Sequence, residues 1–399
     1  MIKKNRLFTP GPTPLLPAAQ TAMAAANIHH RTADFKALFQ KTLADLKTFV
    51  GTSNDVILIA SSGTGAMEAS VSNLTSPGEK VLVLTAGKFG ERWRDLTKAY
   101  GCAVELIAAP YGQTFTLESV REKLAAGGVR VVYLQATESS TGVRHDVEGV
   151  AKLIQQVSPE TMLVVDAITG LGTTRFDVDG WGIDVIIGGS QKAVMVPPGL
   201  AYCAVSERAW KRMDQPHSPS YYFDLRKERK SAAKGESAFT PAIALVAALA
   251  AAMDFIRASG GGDLAAGRDA LIHNAQVSAE MTRAAAEALG LKLFASVPGD
   301  ALTAILPPAG MDSGIIVKDF RERFDAVVAN GQGDMKGQLF RIAHLGYYDY
   351  LDTIGIIGAL EHVLAKAVRP KHIEFGVGLR AAQAVYAKQN AEAKTQSAK

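Results

Sequence analysis

The stretch DVILIASSGTGAMEASVSNL, residues 55–74, holds the change of pattern that decides the fold. Val56 to Ala60 is a continuous aliphatic run, a serine–glycine–threonine–glycine turn follows, and the remainder carries apolar residues at helical spacing. An unbroken aliphatic run of this length reads as a strand buried on both faces, and a helix entered directly from its end is the βα unit of a parallel sheet. The same unit recurs outward along the chain. KVLVLT (80–85) leads into GERWRDLTKAY (90–100), and AVELIA (103–108), VRVVYLQ (129–135), MLVVDA (162–167), DVIIGG (184–189) and LAYCAVS (200–206) complete the set.

Seven such runs predict an α/β fold: a large domain over residues 21–258 with a mainly parallel seven-stranded sheet between helices, preceded by an N-terminal segment, 1–20. The glycine cluster SGGGD (259–263) reads as a boundary. Beyond it, a long helix over 264–289, strand-like KLFA (292–295) and ALTAILPP (301–308), a helix over 316–329, the strand QLFRIAHLG (338–346) and a helix over 350–368 predict a smaller C-terminal α+β domain, 259–399. The polar, alanine-rich end QNAEAKTQSAK (389–399) reads as frayed helix or disorder.

Composition narrows the function. The 399 residues are 48% hydrophobic and 21% charged, ordinary for a globular protein, and the net charge of +4 comes from scattered lysines and arginines, so no nucleic-acid footprint is expected. The two cysteines, Cys102 in GCAVELI and Cys203 in LAYCAVS, sit in strand-like runs and read as reduced buried thiols; no cysteine cluster suggests a metal centre. The basic start MIKKNRLFTPGPTPLLP runs into prolines where a signal peptide needs its apolar core, and the longest apolar run, Ala242 to Met253, falls short of the ~20 residues of a spanning helix. A cytoplasmic protein without membrane contact is the expectation.

In parallel sheets of this kind ligands bind beyond the carboxyl ends of the strands. After the first strand, SSGTGAMEA (61–69) offers hydroxyls and a helix N-terminus, which suits an anion cradle as well as an ordinary capped turn. Asp166 closes the run MLVVD, where it serves equally as a cap for the next turn. Lys192 lies 26 residues on in GGSQKAVMVPP (188–198), hemmed in by small and apolar residues. A half-buried lysine tends to lose its proton and becomes a nucleophile toward aldehydes. Pyridoxal 5′-phosphate needs such an amine, an acid beside its ring nitrogen and a cradle for its phosphate. Lys192, Asp166 and the turn at 62–66 supply the three together, with Gly188 and Gly189 expected to leave room for the cofactor.

At this point the chain resembles the class V aminotransferases among the fold-type I pyridoxal-phosphate enzymes, in particular the alanine-glyoxylate and serine-pyruvate group. The resemblance runs from TPGPTPL (9–15) through SSGTGAMEA, GKFGERW (87–93), ESSTGV (138–143), VVDAITGLG (164–172) and GGSQKAVMVPPGLA (188–201) to FRIAHLG (340–346). It implies that Lys192 forms the aldimine and shuttles the proton, that Asp166 pairs with the pyridine nitrogen, and that Phe89 stacks on the ring. It further implies cofactor contacts at Thr64, Gly65, Ala66, Gln191 and Ser139, and a reach from Thr240 to the cofactor of a second subunit, hence a homodimer with shared sites. Arg341 corresponds to the arginine that binds the substrate carboxylate, and Gly11 to a substrate contact. Ala66 and Ser237 depart from the histidine and tyrosine of some animal members.

The resemblance implies a ping-pong transfer of an amino group from alanine or serine to glyoxylate or pyruvate. The pair His30–Arg31 in HHRTADF (29–35) keeps a second reading open, in which it receives the distal anion of aspartate or phosphoserine; an interface ion pair explains it as well. A lyase of the cysteine-desulfurase kind would need an exposed mobile cysteine, and a hydrogenase-associated subunit without catalysis has no cysteine cluster to support it.

Overall fold

The computed structural model describes residues 2–215, 217–367 and 373–397. The seven runs form one sheet in the order Asp55–Ile59, Ala201–Val205, Val185–Gly189, Met162–Asp166, Val129–Gln135, Lys80–Thr85 and Ala103–Ala108. All pairings are parallel except those of Ala201–Val205, which runs antiparallel to both neighbours. Residues alternate between two cores. Val132, Leu134, Leu163, Val165 and Ile186 pack with Phe35, Phe39 and Leu249, whereas Val131, Tyr133, Val164 and Ile187 pack on the other face with Met67, Val71 and Trp93. Successive side chains of a strand point to opposite faces, so a sheet covered on both sides has no use for polar alternation. This is why the runs are continuous.

A second sheet has the order Arg6–Phe8, Ala326–Asn330, Phe340–Ala343, Leu302–Ile305. Its first pair is parallel and the others antiparallel. Phe340 and Ile342 face a core with Phe8, Ile305, Phe320, Val328 and Leu360. Arg341, between them, therefore projects from the opposite face. The N-terminal segment is thus built into the sheet of the smaller C-terminal domain.

Four local readings need correction. The helix expected over 316–329 spans Ser313–Phe324. Asp325 adopts a left-handed conformation, with φ 51°, and the chain then enters the strand Ala326–Asn330, whose β-branched Val327 and Val328 pair with Leu7 and Phe8. KLFA makes only an isolated bridge, Leu293 to Ile305, not a strand. The tail is helical over Val377–Ser397 and packs along the helix Leu264–Ala288, with Val385 and Tyr386 against a core of Val277, Met281 and Ile357; residues 398–399, like Val368 at the end of the preceding helix, lie outside the described residues. Cys102 sits in the turn before Ala103–Ala108, half-buried, with its thiol donating to Thr75 Oγ1 at 3.4 Å. That is the rim of the sheet away from the carboxyl ends.

The glycine cluster separates the helix Ile243–Ser259 from Leu264–Ala288, and the two axes meet at 83°. Among the described residues no single helix is long and apolar enough to cross a membrane.

Candidate active site

Asp166 closes one strand and stands opposite Ile187 of the next, and Lys192 follows that second strand by a short turn. Both groups therefore share the carboxyl rim. Lys192 is 8% exposed, its Nζ donates to Pro10 O, and its own carbonyl accepts from Thr13 Oγ1 at 3.1 Å. The TPGPT segment lies directly over the amine. Gly11, at φ +152°, makes that approach possible: a Cβ there would stand 2.6 Å from Lys192 Nζ. Gly188, by contrast, clears space for a protein side chain and not for a ligand, since a Cβ would stand 2.2 Å from the Tyr202 ring.

Burial pushes the Lys192 amine down to about 8; the Asp166 charge opposes this, and Arg341 and Arg92 add to it. Burial also raises the Asp166 carboxyl to about 6, against the Ile168 N–H that it accepts at 2.9 Å; Glu138 raises it further, and Lys192 and Arg92 lower it. At neutral pH the pair is an ionised acid beside an amine with an appreciable neutral fraction.

The helix Gly63–Leu74 starts directly after its strand, and Ser62 at the N-cap makes no side-chain cap. The capped-turn alternative thus lacks its hydrogen bond, and the N-terminal N–H groups face the rim. Thr64 is half-buried at this turn, while Ala66 turns its methyl into the apolar core and can offer only backbone to a ligand. Gln191 has a buried Oε1 without a partner. Ser139, buried, has a hydroxyl with no hydrogen bond to the described residues, and its carbonyl accepts from Arg341 Nη1 at 2.6 Å. Arg341 Nη2 donates to Asn330 O at 2.5 Å, and its Nε is buried without a partner. Desolvation lowers this guanidinium to about 10, opposed by Glu138, so it stays cationic at neutral pH. Phe89 lies in the first turn of the helix Lys88–Ala99.

Two residues here escaped the sequence reading. Glu138 is fully buried and gathers five donors: the backbone N–H groups of Phe89, Gly90 and Ser140 at 3.1, 3.0 and 3.1 Å, Gln135 Nε2 at 3.1 Å and Ser140 Oγ at 2.5 Å. Burial raises its pKa and these donors pull it back. Because Lys88 N also donates to Ser140 Oγ at 3.1 Å, the helix that carries Phe89 is capped from a distant loop. The signal in the sequence was an acid between a strand end and two serines. Glu138→Gln would set amide hydrogens against N–H donors and is expected to lower stability by about 1–3 kcal/mol, measured as a fall in the urea midpoint. An unchanged midpoint would reject this capping role. The second residue is Arg92, whose Nη1 donates to Thr64 Oγ1 at 3.0 Å and whose guanidinium lies 4.8 Å from the Phe89 ring centroid.

Three expected contacts are not brought to this pocket within one chain. His30 and Arg31 stand in the exposed turn before the helix Ala33–Val50, with the His29 and His30 rings 4.4 Å apart. Thr240 is exposed ahead of Ile243–Ser259, next to Phe239, which stacks on Tyr222 at 4.8 Å. None of the three contacts Lys192, Asp166 or Arg341.

The Aminotransferase class-V family pattern matches residues 18–280. The chain belongs to the class V aminotransferases. It is 38% identical, over 92% of its length and 94% of the relative's, to a protein of Synechococcus sp. named as the small subunit of a soluble hydrogenase. It is 32% identical to the L-aspartate–glyoxylate aminotransferase of Paracoccus denitrificans, with both chains fully covered, and 31% identical to the serine–glyoxylate aminotransferase of Methylorubrum extorquens over 90% of each. The crystal structure of a subgroup IV aspartate aminotransferase from Thermus thermophilus superposes with a TM-score of 0.84 at 34% identity, covering 91% of this chain and all of that one. Among the described residues no group of three or more His, Cys, Asp or Glu side chains is placed to hold a metal ion.

A class V aminotransferase uses pyridoxal 5′-phosphate, and the residues of this aminotransferase fit it. The depressed amine, the carboxylate with one hydrogen bond and the uncapped helix N-terminus form the donor and acceptor set that an aldehyde, a ring nitrogen and a phosphate require.

Proposed function

We propose that this aminotransferase moves an amino group from a small amino acid, alanine or serine, to glyoxylate or pyruvate, in two half-reactions at one site. The observation that carries this reading is the buried Lys192 on the carboxyl rim beside the strand that Asp166 closes, with the charges of both Asp166 and Arg341 acting on its amine. The bound cofactor supplies an aldehyde carbon and a ring nitrogen whose positive charge draws electrons from the substrate Cα. Asp166 would hold the proton on that nitrogen, and its ionised form at neutral pH suits the task. Lys192 Nζ would hold the cofactor through its aldehyde carbon and, once the substrate's amine has displaced it, would move the proton at Cα, for which an amine near pKa 8 is matched to neutral pH.

Phe89 would cover one face of the ring, and Thr64, Gly65, Ala66 and Gln191 would receive the phosphate, with Ser139 beside the ring. Arg341 would take the carboxylate of amino acid and oxoacid alike, which is how one pocket serves both half-reactions. Within one chain Arg341 is the guanidinium proposed for a substrate carboxylate, and that favours substrates without a second acid. The names of the Paracoccus and Methylorubrum relatives support glyoxylate as acceptor.

A second reading, with aspartate as donor, is favoured by the aspartate-specific names of the Paracoccus and Thermus relatives and by the pair of a half-buried His30 and an exposed Arg31. In that reading the pair, together with Thr240, completes the pocket of a second copy of the chain. The exposed Tyr221, at 76%, and Tyr222 beside Phe239 support such a homodimer, because aromatic side chains left in solvent mark association surfaces.

Rates with alanine, serine, aspartate and phosphoserine against glyoxylate, pyruvate and 2-oxoglutarate separate these readings. Turnover of alanine or serine with glyoxylate at least ~10-fold above aspartate is expected. Turnover confined to aspartate, and lost on Arg31→Ala, would establish the second reading. A protein that takes up no cofactor and turns over none of these would refute both.

A further inference from the structure

We propose that Arg92 is the cation of the cofactor's phosphate site, acting through Thr64; the inference rests on the pyridoxal-phosphate reading above. Phe89 and Arg92 are three apart on one helix and so share a face, the face turned to the rim. Arg92 is half-buried and pairs with no carboxylate among the described residues. A guanidinium withdrawn from water without an acid beside it is a position prepared for an anion.

Its one polar contact indicates where that anion belongs. Arg92 Nη1 donates to Thr64 Oγ1, so the Thr64 hydroxyl must direct its own hydrogen elsewhere, and no acceptor for it stands among the described residues. A hydroxyl polarised by a cation is a stronger donor, and this one lies in the first turn of a helix whose N-terminus carries no side-chain cap. Guanidinium, hydroxyl and helix N-terminus therefore converge on the space that a phosphate would fill.

The charge balance points the same way. A phosphate monoester carries about −1.5 to −2 near neutral pH. Ala66 and Ser237 supply neither the histidine nor the tyrosine of some animal members, and the Ser237 hydroxyl is taken by Glu228 Oε2 at 3.2 Å. Arg341 is held by the carbonyls of Ser139 and Asn330. Arg92 is left as the cation at the turn, and its influence on both Lys192 and Asp166 places its charge within range of the cofactor.

The test compares pyridoxal 5′-phosphate with pyridoxal, which lacks the phosphate, in equilibrium titrations of the cofactor-free full chain followed by visible absorbance. Wild type, Arg92→Met, Arg92→Lys, Thr64→Val and the Arg92→Met/Thr64→Val pair are used, with the melting temperature of each. Arg92→Met is expected to weaken binding of the phosphate form by about 10- to 100-fold and to leave pyridoxal binding within about 2-fold. Arg92→Lys should recover part of the loss. The double variant should lose less than the product of the two single losses, because the two side chains act as one unit.

Equal weakening of both ligands by Arg92→Met would overturn the proposal in favour of a packing role beneath Phe89. Full affinity of Arg92→Met for the phosphate form would overturn it outright. Should Arg92→Met fail to fold, the phosphate-to-pyridoxal affinity ratio of Arg92→Lys decides: a reduced ratio supports the proposal and an unchanged one rejects it. A wild type that binds neither ligand would remove the pyridoxal-phosphate reading itself, an outcome distinct from all of these.

Discussion

Replacing Lys192 by alanine is expected to abolish the visible absorption band formed with pyridoxal phosphate and to lower turnover by about 10³-fold or more, since one change removes both the covalent anchor and the base. Folding should survive. The amine is buried at an energetic penalty, and below pH 8 both the folded and the unfolded chain hold its proton, so that penalty is present in full. Between pH 8 and the ordinary lysine range near 10.5 only the unfolded chain holds it, unfolding takes up a proton, and stability gains from this group as pH rises. The cofactor-free Lys192→Met variant should lack that upward contribution, which urea midpoints from pH 7 to 10 would reveal. The same depressed pKa predicts that cofactor capture by the wild type has its half-maximal rate near pH 8, where an ordinary lysine is only about 0.3% neutral. A midpoint above pH 10, or an unaltered visible band in Lys192→Ala, would remove Lys192 from the reaction.

Arg341→Ala is expected to lower kcat/KM by about 10²- to 10³-fold for donor and oxoacid together, because one fork is proposed to hold both carboxylates. The cofactor's absorption band should persist. That separation matters, because Arg341 also ties the carbonyls of Ser139 and Asn330, and a general loosening of the site would disturb the band as well. Arg341→Lys keeps the charge and loses the planar fork, so it should recover only part of the activity. The buried Nε without a partner makes the direction of the effect specific: it is the donor left over for a ligand after the carbonyls are satisfied. An effect on one half-reaction only would refute the shared-carboxylate reading.

The seven strands were legible because burial on both faces leaves no alternative to continuous aliphatic runs, and Asp166 and Lys192 were legible because they interrupt such runs at their ends. The strand Ala326–Asn330 was not, since its valines continue a helical apolar pattern and only the partners at Leu7 and Phe8, more than 300 residues away, make it a strand. Glu138 and Arg92 were hidden for a related reason. An acid after a strand and an arginine on an amphipathic helix are ordinary in isolation, and their roles arise from the backbone N–H groups and the hydroxyl that the fold sets against them. The opposite error befell Gly188, whose small size looked like room for a ligand and serves Tyr202 instead. His30, Arg31 and Thr240 are not brought to the Lys192 pocket within one chain, as the proposed sharing of sites between two copies would require.

The contact between Lys192 and the Pro10 carbonyl, with Arg341 opposite, has a consequence for the protein's birth on the ribosome. Pro10 is synthesised well before Lys192 and Arg341 well after it, and among the described residues the strand Arg6–Phe8 pairs only with Ala326–Val328. A nascent chain can assemble much of the large sheet while both its earliest segment and its carboxylate fork wait. The carboxylate fork therefore joins the pocket late, after Asp166 and Lys192 have taken their places on the rim of the large sheet.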